Sequence, residues 1–335
     1  MRVAFILKTI TVSSPLGIMY LSAALKKEGH ETALFYFRRR DFLEKLKRFK
    51  PDILAYSITT GAHREYIALN RKIKKSLNAV SVFGGPHPTF YPEMIEENGV
   101  DAICRGEGEE AFVEFVNKLE KGKSTDRVKN FWIKRGKRII KNPVRKLKEN
   151  LDELPFPDRE VVYKTDRFFL DFKMKRFMAS RGCPFKCTYC FNRQYNQLYK
   201  NKGRIVRCRS VDNLLEEIKQ VKSRYPTKLI KFVDDTFILD KIWLEEFCDK
   251  YRKEIGLPFI CNIRADLVTE DIVEQLKKAM CIAVYIGIES GNEKARREVL
   301  ERNMSDEQIL NACRLFRKYG IKIIAQNMLG LPGET

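Results

Sequence analysis

The chain has 335 residues, 44% of them hydrophobic and 32% charged, with a formal net charge of +20. This length suits two domains of ordinary size, and the composition is that of a soluble globular protein. No apolar run approaches the ~20 residues that span a bilayer, and the apolar start is too short for a signal peptide, so we expect a cytoplasmic protein. Lys and Arg are spread along the whole chain, which favours solvated helix faces over an RNA-contacting patch.

Residues 1–122 alternate short β-branched runs with amphipathic stretches, the pattern of a parallel sheet covered by helices. We expect an α/β domain with a Rossmann or flavodoxin-like doubly wound sheet, in which ligands bind at the carboxyl ends of the strands. Strands are predicted at 3–7, 32–37, 53–57, 80–83 and 102–104. Helices are predicted at 15–28, 41–49, 63–76, 92–98 and 109–119.

Residues 123–170 interrupt this alternation, and they predict a linker that contains a hairpin at 131–140. The alternation resumes in residues 171–335, which predict a partial TIM-like (β/α) barrel with its site at the carboxyl ends of the strands. Its strands are predicted at 176–179, 229–233, 259–263, 283–288 and 322–328. Its longer helices are predicted at 213–225, 241–254, 270–279 and 306–319.

Three of the nine cysteines, Cys183, Cys187 and Cys190, form a CxxxCxxC run after the first barrel strand. This spacing offers three thiolates to one iron-sulfur cluster and leaves one iron without a protein ligand. A structural zinc site would need a fourth ligand such as Cys208, and an electron-transfer cluster normally takes four cysteines. The other cysteines are scattered through apolar segments, which indicates buried thiols and no disulfide framework.

The cysteine run resembles the cluster loop of the radical S-adenosylmethionine (SAM) superfamily, and Tyr189 fills the aromatic position before the third cysteine. The resemblance implies a 4Fe-4S cluster whose open iron binds SAM, and reductive cleavage of SAM to a 5'-deoxyadenosyl radical. It also implies an electron donor such as flavodoxin or ferredoxin. The implied SAM-binding residues follow the later strands: Asp234 or Asp235 for the amino group, Asn262 and Arg264 for the carboxylate, Glu289 and Ser290 for the ribose and methionyl groups, and Gln326 and Asn327 on the adenine or substrate side.

The first domain resembles the cobalamin (B12)-binding domain that precedes the barrel in one branch of this superfamily. Small residues at the strand ends let a flat corrin ring approach the backbone; the alternative is a flavodoxin-like fold whose glycines only turn corners. The usual DxHxxG run is absent from residues 7–14, so we expect no histidine below the cobalt, although His63 and His87 remain possible ligands. The implied cobalamin-binding residues are Ser14, Leu16, Gly17, Ser57, Thr59, Thr60, Gly84, Gly85, His87, Gly106 and Glu107.

The resemblance implies an enzyme that methylates or rearranges an unactivated carbon of an unidentified small molecule, lipid or peptide. One alternative is a tRNA methylthiotransferase, which needs a second three-cysteine cluster where the first domain has only Cys104. Another is a noncatalytic cobalamin or redox sensor with a structural cluster. Because the barrel stops after its fifth predicted strand, we expect the sequence to be a fragment that lacks C-terminal elements.

Overall fold

The computed structural model of the protein describes residues 1–8 and 14–333. By its internal contacts, the chain divides into two compact units. The first comprises Met1–Leu147 and Glu153–Leu170, and the second comprises Lys148–Asp152 and Asp171–Thr335. Residues 123–147 and 153–170, which the sequence assigns to a linker, therefore make most of their contacts within the first unit.

The first unit contains a seven-stranded sheet in the order β2-β1-β3-β4-β5-β6-β7. Strands β1 to β5 are parallel, and the order of these five strands is that of flavodoxin-like folds. The predicted hairpin is confirmed, and it extends the sheet by two antiparallel strands. The strands are β1 (Arg2–Leu7), β2 (Glu31–Tyr36), β3 (Ile53–Ser57), β4 (Val80–Gly84), β5 (Ala102–Cys104), β6 (Phe131–Arg135) and β7 (Arg138–Lys141).

Helices alternate with the parallel strands of this unit and pack their apolar sides on the sheet. They are α1 (Leu16–Lys27), α2 (Phe42–Phe49), α3 (His63–Lys74), α4 (Pro86–Phe90), α5 (Glu109–Glu120), α6 (Glu160–Tyr163) and α7 (Arg167–Asp171). The predicted helix at 92–98 is wrong in type, because Pro92–Glu96 is a 3-10 helix and α4 precedes it. Each of these two short helices begins with a proline, which suits a first helical position and cannot continue a preceding helix.

The second unit contains a five-stranded, all-parallel sheet in the order β14-β13-β12-β11-β8, which confirms the predicted parallel architecture. A small antiparallel pair, β9 and β10, lies beside it. The strands are β8 (Met174–Phe177), β9 (Ser180–Arg181), β10 (Arg207–Cys208), β11 (Leu229–Phe232), β12 (Phe259–Ile263), β13 (Cys281–Glu289) and β14 (Lys322–Asn327).

The helices of the second unit cover its sheet and enclose an aromatic-rich core around Phe232, Phe247 and Phe259. They are α8 (Phe191–Leu198), α9 (Val211–Arg224), α10 (Lys241–Glu254), α11 (Glu270–Lys278), α12 (Glu293–Glu298) and α13 (Asp306–Lys318). The short helices α8 and α12 were not predicted. In the described part of the chain, no helix has the length and apolar content that a bilayer crossing requires.

Candidate functional site

The three motif cysteines lie in the loop between β9 and α8, at the carboxyl end of β8. Cys183 and Cys187 are buried, and Cys190 is partly exposed. The loop starts at Gly182, whose φ is +89°, and a Cβ at this position would lie 2.1 Å from the carbonyl oxygen of Ile205. Only glycine fits so close to another backbone in this conformation, and this contact fixes where the cysteine loop leaves the sheet.

The described structure does not gather the three thiols around a single ion. In the described residues, no three His, Cys, Asp or Glu side chains converge on one ion. A zinc ion would hold its sulfur ligands within roughly 4 Å of one another, because each Zn–S bond is about 2.3 Å long. Burial raises the pKa of the Cys183 and Cys190 thiols, and iron binding would displace their protons.

Asp235 and Asn192 link the end of β11 to the cysteine loop. The Asn192 amide donates to the Cys190 Sγ at 3.6 Å, and it also donates to the Asp235 carboxylate. Burial raises the pKa of Asp235, and its negative charge further raises the pKa of the Cys183 and Cys190 thiols. Asp235 is therefore a carboxylate beside two of the three thiols, whereas the sequence left it as one of two alternatives.

Asp234, the other alternative, is engaged by the protein itself. Its carboxylate is fully buried and accepts hydrogen bonds from the backbone N–H of Ala179 at 3.2 Å and the hydroxyl of Ser180 at 2.6 Å. Burial raises the pKa of Asp234 to about 6. The Asn262 amide donates to the Asp234 carbonyl at 2.7 Å. Both residues thus tie neighbouring strand ends together, which is a structural role.

Arg264 follows β12 and reaches the cysteine loop. Its Nη1 donates to the Cys187 Sγ at 3.5 Å, and its guanidinium carbon lies 3.5 Å from the centre of the Phe185 ring. Two parallel hydrogen bonds of 3.0 Å pair it with the Asp266 carboxylate. The guanidinium group of Arg264 thus contacts the Cys187 sulfur, the Phe185 ring and the Asp266 carboxylate. We infer that Arg264 positions the cysteine loop.

Arg302 is a site residue that the sequence did not predict. Its Nη1 donates to the Cys187 Sγ at 3.7 Å and to the Tyr189 hydroxyl at 3.3 Å, and its Nη2 donates to the Gly287 carbonyl at 2.7 Å. The Lys and Arg residues spread along the chain, among them those of the charged run 295–302, were interpreted as parts of solvated helix faces, which is wrong for Arg296 and Arg302, because both are buried. Nothing in the spacing of the run marks these two arginines as buried.

Tyr189 and Glu289 meet at the end of β13. The Tyr189 hydroxyl donates to Glu289 Oε1 at 3.0 Å, and burial raises the pKa of Tyr189 far above its usual range. Glu289 has a φ of +71°, a left-handed conformation that costs energy for a residue with a side chain. A Cβ at Gly287 would lie 2.3 Å from Glu289 Oε1, so a larger residue there would make the carboxylate shift.

The register of β13 and β14 brings the remaining predicted SAM-binding residues to this edge. Gln326 pairs with Gly287, and Asn327 pairs with Glu289. Both β14 residues are exposed. Ser290 is buried, and its hydroxyl accepts a hydrogen bond from the backbone N–H of Asn292 at 3.0 Å. The second unit therefore assembles most of the predicted SAM-binding residues along the carboxyl ends of β11 to β14.

In the first unit, the residues predicted to bind cobalamin all lie at the carboxyl ends of the parallel strands. The stretch that replaces the DxHxxG run includes residues 9–13, which are outside the described residues. Four segments carry the predicted residues: Ser14, Leu16 and Gly17 at the start of α1; Ser57, Thr59 and Thr60 at and after the end of β3; Gly84, Gly85 and His87 around the end of β4; and Gly106 and Glu107 after β5.

His87 is buried in a stack of rings. Its ring centre lies 4.0 Å from that of His63 and 5.4 Å from that of Tyr91, and its Nδ1 is 3.1 Å from the Thr60 hydroxyl. Burial and the neighbouring His63 lower the pKa of His87. These contacts occupy the ring faces and one ring nitrogen of His87, which is the environment of a packed histidine.

The two glycines Gly17 and Gly85 have different surroundings. Gly85 has a φ of +93°, and a Cβ there would lie 2.9 Å from both the nitrogen and the oxygen of Ile58. Its smallness is therefore required by the protein's own backbone. Gly17 is exposed, and no described atom would lie within 4 Å of a Cβ at this position. Among the described residues, therefore, nothing in the protein's own packing requires glycine at position 17.

Comparison with known proteins identifies a family for each of the two parts of the chain. Residues 178–335 match the sequence model of the Radical SAM superfamily, and residues 4–116 match that of the B12 binding domain. A protein from Pyrococcus horikoshii described as an uncharacterized methyltransferase is 31% identical over 340 residues, which cover 97% of this chain and 71% of the relative. The anaerobic magnesium-protoporphyrin IX monomethyl ester cyclase of Rubrivivax gelatinosus is 25% identical, with 96% of this chain and 60% of the relative covered.

Among solved structures, the radical SAM methyltransferase TsrM from Kitasatospora setae, with cobalamin and a 4Fe-4S cluster bound, superposes with a TM-score of 0.80. The match covers 100% of this chain and 68% of TsrM at 16% sequence identity, so it supports the fold. The resemblance inferred from the sequence is confirmed. The chain belongs to the radical SAM superfamily, in the branch of enzymes that carry a B12-binding domain and work with a 4Fe-4S cluster, SAM and cobalamin.

Proposed function

We propose that the protein transfers a methyl group to an unactivated carbon of its substrate. One observation carries this proposal: the same chain contains two features. The first is a three-cysteine loop beside polar strand ends, and the second is a separate B12-binding domain. The description of the Pyrococcus relative as a methyltransferase supports the same reaction. When bound, the cluster delivers the electron that cleaves SAM to a 5'-deoxyadenosyl radical, and cobalamin carries the methyl group.

The residues of the second unit divide the work of holding and orienting SAM. Cys183, Cys187 and Cys190 are the proposed cluster ligands. Asp235, beside two of these thiols, is the proposed acceptor for the amino group of SAM, a charge-assisted hydrogen bond. Its neighbour Asp234 does not compete for this role, because its carboxylate is already bonded within the protein.

The far side of the site is formed by the ends of β13 and β14. The Glu289 carboxylate, held by the Tyr189 hydroxyl, and the buried Ser290 are the proposed contacts of the ribose and methionyl groups. Gln326 and Asn327, which are exposed at the neighbouring strand end, are proposed to face the adenine or the substrate. Polar groups on adjacent strands would thus fix the direction in which the radical meets the substrate.

Ring formation is the second reaction to consider, because one relative is named as a cyclase. It would use the same cluster and SAM contacts and would differ in the fate of the substrate radical. The tRNA methylthiotransferase alternative has less support. Cys104 is the only cysteine in residues 1–170, and burial raises the pKa of its thiol to about 12. A second three-cysteine cluster would find no ligand set there.

Anaerobic reconstitution of the full chain with iron and sulfide tests the proposal. We expect the wild-type protein to take up a cluster and to form 5'-deoxyadenosine from SAM under reduction. Cys187→Ala should lose both properties, with at least a hundredfold lower rate of SAM cleavage. The matched control is Cys208→Ala, since Cys208 is a partly exposed thiol of the same unit outside the motif. Full cleavage activity in Cys187→Ala, or loss of iron in Cys208→Ala, would contradict the assignment of the ligands.

A further inference from the structure

The Cys187 and Cys190 thiols of the cluster loop receive different hydrogen-bond donors. The Cys190 Sγ accepts from a neutral amide, that of Asn192. The Cys187 Sγ accepts from two guanidinium groups, those of Arg264 at 3.5 Å and Arg302 at 3.7 Å. Cys187 is therefore the sulfur on which positive charge is concentrated.

The two arginines differ in how their charge is balanced. Arg264 is paired with the Asp266 carboxylate through two hydrogen bonds of 3.0 Å. Arg302 has only neutral oxygen partners, the Gly287 carbonyl and the Tyr189 hydroxyl, and no carboxylate of the described residues lies within ion-pair distance. Its Nε is buried and has no hydrogen-bond partner in the described structure.

A buried, unpaired cation is costly to desolvate, because it loses its hydration without gaining an opposite charge. Arg302 is only 7% exposed. The Glu289 carboxylate, which the Tyr189 hydroxyl links to Arg302, compensates part of this charge, and the remaining contact of the guanidinium is the Cys187 sulfur. A thiolate-ligated cluster supplies negative charge at this sulfur, and one-electron reduction increases it.

The protein backbone holds Arg302 in this position. The Thr188 N–H donates to the Leu300 carbonyl at 3.0 Å, and the Thr188 hydroxyl donates to the Val299 carbonyl at 2.8 Å. These two bonds attach the segment before Arg302 to the cysteine loop itself. The guanidinium would thus keep its distance to Cys187 when the loop moves slightly.

We propose that Arg302 is a positioning residue that raises the reduction potential of the cluster, by donating a charged hydrogen bond to the Cys187 sulfur. Hydrogen bonds to cluster sulfurs and nearby charge are recognised determinants of the potential of such clusters. The positive charge stabilises the reduced cluster, which is more negative, more than the oxidised one. This inference rests on the cluster assignment made under the proposed function.

The test uses the reconstituted full chain and its cluster potential, measured by redox titration with electron paramagnetic resonance. In Arg302→Gln, the ratio of reduced to oxidised cluster at the wild-type midpoint should fall about tenfold, which equals about 59 mV for a one-electron couple. In Arg302→Lys, the charge remains but the planar fork is lost, and we expect a smaller fall of about threefold. The matched control is Arg193→Gln, since Arg193 contacts the Lys186 carbonyl and Glu301 but no sulfur.

The outcomes separate this inference from the proposed function. If the wild-type chain takes up no cluster, the proposed function fails. If it does, and Arg302→Gln has the wild-type potential, the inference is overturned, whether or not SAM binds more weakly. An equal fall in Arg193→Gln overturns it as well, because the effect would then be one of general charge. If Arg302→Gln loses iron, the test uses Arg302→Lys instead. A wild-type cluster potential in Arg302→Lys would then overturn the inference that the hydrogen bond from the guanidinium group raises the potential.

Discussion

The helices of the two units begin differently. In the first unit, none of the helices α1 to α5 has a side chain that caps its first turn. In the second unit, α9, α10, α12 and α13 begin with capping side chains, whereas α8 and α11 do not. In the first unit, backbone carbonyls take part of this role, since the Leu16 N–H of α1 donates to the Ser14 carbonyl and the His87 N–H of α4 donates to the Ile58 carbonyl.

The same contrast holds for the residues that surround the two sites. In the second unit, charged side chains such as Arg264 and Arg302 point at a sulfur, which suits a small, compact inorganic group. In the first unit, the strand ends present hydroxyls and glycines, and the exposed Gly17 lies at the start of α1. A large flat ligand with many amide groups needs room and backbone donors more than charge. Substitutions that affect one site and spare the other test this contrast.

The largest effect is expected for Gly182→Ala. The added methyl group would lie 2.1 Å from the Ile205 carbonyl oxygen at a φ of +89°, so the cysteine loop must move. We expect at least a tenfold loss of iron after reconstitution, with cobalamin binding retained. Iron analysis and cobalamin absorbance on the same sample measure both. The control is Gly256→Ala, whose methyl group would be 3.6 Å from its nearest neighbour at a φ of +62°. Equal iron in both variants would refute the steric argument.

The next effect concerns Asp234 and pH. Its pKa of about 6 in the folded chain exceeds the ordinary value of 3.8, so the folded state binds the proton more tightly than the unfolded state. Its contribution to the free energy of unfolding is therefore greatest below pH 3.8 and is lost as the pH rises to about 6. Relative to Asp234→Asn, which does not titrate, the cluster-free wild type should lose about 2 kcal/mol from pH 4 to 7. Urea unfolding at several pH values measures this difference, and parallel pH profiles would argue against it.

A third effect isolates the first unit. Gly17→Phe adds a large side chain at the exposed start of α1, where no described atom would lie within 4 Å of its Cβ, and we expect about a hundredfold weaker cobalamin binding with unchanged iron uptake. Gly17→Ala is the matched control, because its methyl group adds little bulk at this position. Equilibrium titration with hydroxocobalamin gives both affinities. Wild-type affinity in Gly17→Phe would show that cobalamin does not bind beside Gly17.

The smallest effect compares helix starts. Ser305→Ala removes the capping box that Ser305 and Gln308 form at α13, which should lower the free energy of unfolding by about 1 kcal/mol. Asp41→Ala, at the start of α2, removes no capping hydrogen bond and should have a smaller effect. Thermal unfolding of both variants compares them. Equal decreases in the stability of the two variants would mean that helix capping does not distinguish the two units.

Much of the fold could be predicted from the sequence because the strands are β-branched runs separated by amphipathic stretches. Strand β12 and helix α10 have the predicted bounds. Helices α8 and α12 were missed because they are short, with eight and six residues, although Phe191, Tyr195 and Leu198 of α8 do have a helical spacing. The family could be predicted because the cysteine spacing is a local feature, readable without the fold.

The details of the site depend on tertiary contacts that no local pattern reports. Asp234 and Asp235 are adjacent in sequence, and only the structure shows that the first is bonded to Ala179 and Ser180 and the second to Asn192. Arg302 lies in a charged run that predicts exposure, and its burial follows from the packing of residues 299–302 on the cysteine loop. Likewise, Gly85 was predicted as a cobalamin contact, but the need for glycine there comes from Ile58.

The left-handed conformation of Glu289 has a consequence for engineering this protein. Glycine or asparagine would adopt a φ of +71° at lower cost, so random mutagenesis followed by selection for heat resistance would favour them at this position. Glycine has no side-chain acceptor and asparagine is one methylene shorter than glutamate, so neither reproduces the bond that Glu289 accepts from Tyr189. Selection for thermal stability and selection for turnover would therefore favour different residues at position 289. A library of variants made for stability should keep Glu289 unchanged.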